Sequence, residues 1–356
     1  MKHLAVFLSL LLQIVLAGSV AVNAQAVNAP CIVRADRVTA LAWQPDGSRI
    51  AVGTNCGVEL YDDSFAEVAL LPIQTENAGV MSIAWNSTGS LLAVAEVRLG
   101  LNNSAATTVI WDTRTNQIKT RLDTGSYTPI RWNPMGTEMV VGSYDGYFYF
   151  YDISSGIITG SVKAEHLYGD DFPNPPITTC WSADGKRLIA VFRWITYSVD
   201  LPRFEIESQR EDVSNIADKV ADCDSTGSRV ATDWGSVVNL FTGAVYDPAR
   251  TFDTSEGCNL IDIIGVAVGW RSDDKAFAVN CDDKTVRVYD SQAHLLTMLE
   301  SGLTDSSGYY QDSIDWSPDG KLLGAAANDG KVRIWNTDGY HLITTINVAE
   351  IPLVTG

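Results

Sequence analysis

An all-β fold made from one four-stranded unit repeated seven times is what the sequence predicts, and three observations predict it. Apolar and polar residues alternate in short runs, and no run of any length shows a helical period. Tight-turn sequences punctuate these runs: "QPDG", "NSTG", "NPMG", "SADG", "DSTG" and "SPDG". Tryptophans mark a period of 42 to 49 residues at Trp43, Trp85, Trp132, Trp181, Trp270 and Trp316, with Asp224 read as taking the tryptophan's place in the fifth copy.

The stretch "SIDWSPDGKLLGAAANDGKVRIWN", Ser313 to Asn336, justifies each element of the unit. Alternation in "SIDW" puts Ile314 and Trp316 on one face of a first strand. "SPDG" turns the chain, because proline presets φ, aspartate bonds locally and glycine accepts the exit conformation. "LLGAAA" is a second strand, and "NDG" turns it back with residues that tolerate positive φ. "KVRIW" is a third strand, "NTDG" another turn and "HLITTI" a fourth strand. Weaker copies begin at Val38, Val80, Tyr127, Ile177, Lys219 and Val266, those at Ile177 and Lys219 being the most degraded. A lone four-stranded unit cannot bury both faces. Stacking units around an axis does so, and closing the ring leaves only short protected edges. A seven-bladed β-propeller is therefore expected. The segment from Cys31 to Asp36 is extra on this count, since "HLITTINV" supplies the last fourth strand.

"WSPDGKLL…DGKVRIWN" and "TTVIWDTRTNQIKTRL", with a literal Trp111-Asp112, resemble the WD-repeat β-propeller family over about Val38 to Val348. Other third strands depart from the family's ending, closing on Tyr61-Asp62, Tyr151-Asp152, Tyr289-Asp290 or Trp335-Asn336. No Gly-His precedes a first strand, so the family's aspartate–histidine–hydroxyl–tryptophan network is not carried over. The resemblance implies an interaction platform, because most members of the family are platforms of that kind.

The 356-residue chain has a formal net charge of −18 and is 46% apolar, which suits a globular protein with a full core. No basic patch is visible for nucleic acid or anionic membrane. "MKHLAVFLSLLLQIVLAGSVAVNAQA" reads as a secretory leader, with Lys2, an apolar run and small-x-small cleavage patterns at Val22-Asn23-Ala24 and Ala24-Gln25-Ala26. The expected organisation is a leader over 1–24, an N-terminal segment over 25–37, the propeller over 38–350 and a tail over 351–356. No cysteine follows the leader closely enough to take a lipid. The expected location is outside the cytoplasm, secreted or periplasmic, with no membrane insertion after cleavage.

Six cysteines in an exported chain suggest disulfides. Cys31 precedes the first strand of blade one and Cys56 lies in that blade's second hairpin; Cys258 and Cys281 stand likewise in blade six. Alternating strands put both places on one face of a blade. Cys31–Cys56 and Cys258–Cys281 are therefore expected, each contributing on the order of 3 kcal/mol. Cys180 and Cys223 are read as equivalent positions of neighbouring first strands that point the same way. They are expected to be buried and unpaired.

Catalytic material is sparse. His3 leaves with the leader; His166, His294 and His341 remain, read as surface residues. No HExxH, paired CxxC, GxGxxG or GxSxG occurs. Asp170-Asp171, Asp282-Asp283 and Asp305 read as solvated turn residues rather than calcium ligands. No catalytic residue, metal or cofactor is expected. Asn86-Ser87-Thr88 and Asn102-Asn103-Ser104 match the glycosylation acceptor pattern.

The long loops are "EVRLGLNNSAAT", "KAEHLYGDDFPNPP", "TFDTSEGCNLIDIIG" and "SGLTDSSGYY", all on the face of the second hairpins and inter-blade connections. That face carries the aromatics Tyr144, Tyr147, Tyr168, Phe172, Trp194, Trp234, Tyr309 and Tyr310 among the acids Asp145, Asp170, Asp171, Asp233 and Asp305. The function expected is a monomeric, non-catalytic scaffold docking a protein or peptide there, with a basic partner suited to the acids. The alternative is a lactonase- or hydrolase-like propeller enzyme, with a site at the mouth of the central channel.

Overall fold

The computed structural model describes residues 38–75, 78–98, 106–124, 130–143, 145–163, 176–192, 195–201, 203–211, 220–227, 229–234, 237–242, 247–252, 265–281, 283–303 and 313–348. Among them, 28 strands form seven four-stranded antiparallel sheets, each from four consecutive strands. Sheets one to seven span Val38–Pro72, Ala78–Asp123, Arg131–Lys163, Pro176–Glu211, Val220–Phe252, Gly265–Glu300 and Ile314–Asn347. Neighbouring sheets touch through their inner strands in chain order, and the first strand of sheet seven returns to that of sheet one. The architecture is an all-β propeller with four-stranded antiparallel blades.

The turns form for the reasons their sequences supply. In "SPDG" the Gly320 N–H donates to the Ser317 carbonyl at 2.8 Å with φ +68°, while Asp319 accepts from the Lys321 N–H at 3.0 Å. Serine neighbours and Lys321 hold the turn carboxylates below their ordinary range. Asp152 is pulled to about 2 by hydrogen bonds from Ser154 and Ser155, and Asp319 to about 2 by Lys321 and Ser317. A carboxylate with a depressed folded pKa adds stability above its unfolded value, and that stability is lost as pH falls through the folded one. Carboxyl carbon shifts of Asp152 and Asp319 are therefore expected to titrate with midpoints near 2. The turns should hold at pH 5 and weaken between 3.8 and about 2. Midpoints at the ordinary carboxylate value would show that these turns do not bond as described.

The core lies between sheets. Leu41, Trp43 and Ile50 of sheet one cluster with Ala326, Val332 and Ile334 of sheet seven. Phe148 and Phe150 of sheet three do so with Phe192 and Tyr197 of sheet four. The faces interlock through small residues. A Cβ on Gly324 would come within 2.8 Å of the Trp43 ring, and one on Gly53 within 2.7 Å of Val80. Phe204 sits at φ +53°, a costly backbone for a bulky residue; its ring packs on Phe150 at 5.1 Å, over Gly160, where a Cβ would clash.

Each innermost strand is an edge, with backbone groups lacking a ladder partner on the channel side. Side chains of the neighbouring sheet supply them. Asp315 Oδ2 accepts the Trp43 N–H at 2.7 Å and Asp222 Oδ2 the Trp270 N–H at 2.9 Å. Ser82 Oγ accepts the Ile130 N–H at 3.0 Å, and Thr39 Oγ1 donates to the Val80 carbonyl at 2.6 Å.

The fifth copy departs from its sequence reading by one residue. Trp43, Trp85, Trp132, Trp181, Trp270 and Trp316 pair with Ile50, Leu92, Met139, Leu188, Phe277 and Leu323. In sheet five the residue in that register is Cys223, opposite Val230, not Asp224. Asp224 caps the following turn: its Oδ1 accepts the Arg229 N–H at 3.1 Å, as Ser317 Oγ accepts the Leu322 N–H at 2.9 Å. The expectation that Cys180 and Cys223 stay unpaired is overturned. They form a disulfide between sheets four and five, with Cα atoms 5.8 Å apart. A one-residue shift turns a strand side chain to the opposite face. Cys180 therefore looks forward and Cys223 back, and they meet.

Cys56 and Cys281 are both disulfide-bonded. Cys31 and Cys258, the partners expected for them, lie outside the described residues. Asn86 of the first acceptor motif is 4% exposed, with its Oδ1 accepting the Leu91 N–H at 2.9 Å, so its amide belongs to the turn. Asn102 and Asn103 lie outside the described residues. Among the described residues, no helix is long and apolar enough to cross a membrane.

Candidate docking surface

Antiparallel order sends the first and third hairpins of every sheet to one end of the propeller, and the second hairpins and inter-sheet connections to the other. The described strand ends that flank the long connections therefore lie at one end. Of the residues singled out there, Asp145 and Tyr147 are described in full, and Asp233 and Trp234 only as the last two residues of the second strand of sheet five. Tyr144, Tyr168, Asp170, Asp171, Phe172, Trp194, Tyr309 and Tyr310 lie outside the described residues, as do His166 and Asp305.

Around Asp145 the geometry is specific. Its carboxylate accepts the Tyr149 hydroxyl at 2.7 Å and the Tyr147 N–H at 3.2 Å. The two tyrosine rings stack 5.4 Å apart at 13°, and the Lys163 ammonium lies 5.3 Å from the Tyr147 centroid. Burial, then the Asp145 hydrogen bond and charge, push the Tyr149 hydroxyl up to about 12, so it stays a donor at neutral pH. Sequence reasoning found Asp145 and Tyr147 and missed Tyr149. The available signal was the spacing, which recurs. Asp283 pairs with Arg287 at 2.7 Å and Asp329 with Arg333 at 2.6 Å, each aspartate in a second hairpin and its partner four residues on. These aspartates brace hairpins, so the negative surface at this end is smaller than a count of acids implies.

The roots of two long connections are also braced. Glu96, 1% exposed, accepts the Gln74 N–H at 3.0 Å and the Thr75 N–H at 2.7 Å, where sheet one hands over to sheet two. Burial raises its pKa despite those N–H groups. Arg333 donates to the Ser301 carbonyl, and its guanidinium lies against Gly302 at φ +80°. Loops leaving such roots start from fixed positions.

The opposite end holds a cleft of about 630 Å³ between sheets one and seven. Trp43, Pro45, Phe65, Pro318 and Leu322 line it, with Asp46, Asp62, Asp63, Asp319, Arg49 and Lys321. Asp46 and Asp62 accept from Ser48 and Ser64, and Asp319 accepts from Ser317 and pairs with Lys321, so these carboxylates are held in their turns and stay ionised. Sequence alone does not point to this site, because the cleft exists only where the first and last sheets meet.

Among the described residues, no group of three or more His, Cys, Asp or Glu could hold a metal ion. His294 and His341 are both exposed, and His294 Nδ1 lies 2.9 Å from Asp290.

The family model described as WD domain, G-beta repeat matches residues 32–62 and 307–336, in the first and last copies. Among solved structures, the chain is similar to the β-propeller domain of Cps50 (Swd1) from Myceliophteria thermophila. The TM-score is 0.67 at 15% identity, over 86% of this chain and 98% of that one. It is also similar to a chain of a mitotic checkpoint complex, with a TM-score of 0.65 at 18% identity over 86% and 89% of the two chains. At these identities the likeness is one of fold.

Proposed function

The chain is a WD-repeat β-propeller, and from that premise we propose that it is an exported, non-catalytic scaffold that docks a protein or peptide on its long-loop end. In this reading the seven sheets close into one seven-bladed ring that acts as a monomer without a cofactor. What supports it is the strand order, which opens every second hairpin and inter-sheet connection at one end, with the roots of two long connections braced by Glu96 and Arg333. Such an end presents adaptable loops from fixed positions, which suits recognition. The disulfide between Cys180 and Cys223 suits an oxidising compartment. One similar chain belongs to a multiprotein complex. A net charge of −18 favours a basic partner.

The test is capture from the native extracellular or envelope fraction. Wild type runs beside a variant with Tyr168, Phe172, Tyr309 and Tyr310 changed to alanine, after both show the same circular dichroism. A third arm carries Asp63→Lys in the cleft at the other end. The expected result is a protein lost by the fourfold variant and kept by Asp63→Lys, which then binds the purified chain with salt-sensitive affinity. Loss in Asp63→Lys alone moves the site to the cleft. No partner, together with a stoichiometric metal in the purified protein, points to the enzyme reading.

A further inference from the structure

Four seams of the ring share one device. The indole N–H of a sheet's tryptophan donates to a backbone carbonyl of the preceding sheet: Trp85 to Ala42 at 3.1 Å, Trp132 to Ala84 at 2.9 Å, Trp270 to Asp222 at 3.2 Å and Trp316 to Gly269 at 2.9 Å. The acceptor is always the residue just before the position that ends its own first strand, as Ala42 precedes Trp43 and Asp222 precedes Cys223. Between sheets four and five the donor position holds Cys223, whose side chain has no N–H to give. The acceptor position holds Cys180, next to Trp181, and the disulfide joins these same two positions.

We propose that the Cys180–Cys223 disulfide is a covalent replacement for the tryptophan clasp, and that it makes the seam between sheets four and five the redox-sensitive seam of the ring. Two thiols become the disulfide by exchange with an external disulfide, which accepts two electrons and two protons and leaves as two thiols. In the reduced chain, position 223 has neither an indole nor a covalent bond. Among the described residues, the apolar cluster at this seam is Ile189, Val191 and Val230 with the two cysteines. At the four clasped seams the tryptophan supplies both the clasp and a large buried surface. Loosening of sheet five on reduction, with the other seams shut, follows from that difference.

Amide hydrogen exchange on three oxidised proteins tests this without reductant, which leaves the disulfides of Cys56 and Cys281 intact. In Cys180→Ala/Cys223→Ala, exchange at Val220–Cys223 and Arg229–Trp234 is expected to rise about tenfold or more, while the first strands of sheets one and two hold. In Cys180→Ala/Cys223→Trp, an indole stands at the donor position over a small residue, as Trp85 stands over Ala42. Protection should return toward wild type with no disulfide present. If the double alanine variant fails to fold, folding of the tryptophan variant supports the proposal equally. A tryptophan variant as open as the double alanine one, or one that also fails to fold, overturns the equivalence. Unchanged exchange in the double alanine variant overturns the role of the seam.

Discussion

Replacing Trp316 with alanine is expected to destabilise the protein by about 3–5 kcal/mol, read as a fall in the urea midpoint. Trp316 is 4% exposed and packs in a cluster with Ile314, Ala267, Ala278 and Leu323, bridging sheets six and seven. Its loss opens a cavity at a place that cannot collapse, because the sheets on both sides are held at fixed separation by the rest of the ring. Two further contacts go with it. The indole N–H reaches the Gly269 carbonyl at 2.9 Å, and the Arg271 guanidinium lies 5.6 Å from the ring centroid. Trp316→Phe separates the parts, since it keeps most of the volume and removes the N–H. About 1 kcal/mol is expected for that change. A phenylalanine variant as unstable as the alanine one would place the energy in the clasp rather than in packing.

Asp315→Ala is expected to cost about 1–3 kcal/mol for each of two backbone N–H groups left without an acceptor. Oδ2 accepts from Trp43 at 2.7 Å, across the place where the first and last sheets meet, and Oδ1 accepts from Trp316 at 2.8 Å. Asp315→Asn retains an acceptor oxygen and should recover much of the loss. The effect should also be local. Amides of Val38–Trp43 should lose protection first, because this carboxylate joins the first and last sheets. Equal loss of protection in every sheet would show that closure does not depend on Asp315.

The blade pattern was legible because it is local. A "PDG" turn and a few alternating residues specify a hairpin wherever they stand, and all four strands of the seventh sheet lie where alternation puts them. The fifth copy misled for a reason just as local. "ADCDSTG" has no tryptophan to anchor its register, so a slip of one residue was invisible, and with strand period two that slip turned Cys223 to the opposite face, toward Cys180. The acids at the second-hairpin end were legible as charges but not as partners. That Asp145 bonds Tyr149 depends on a hairpin bringing two residues four apart onto one face.

The sequence by itself determined the repeating unit, its turns and its all-β class. These follow from residue-to-residue periodicity, which acts over a few positions and needs no knowledge of neighbouring sheets. Tertiary structure alone decided which sheets clasp through an indole, which pair is joined by cysteines, where Asp315 finds its N–H and where the cleft opens between sheets one and seven. Each of these is a contact between sheets more than 40 residues apart in the chain. Such contacts are set by how rigid faces meet around an axis, and a one-residue change of register is enough to rewrite them.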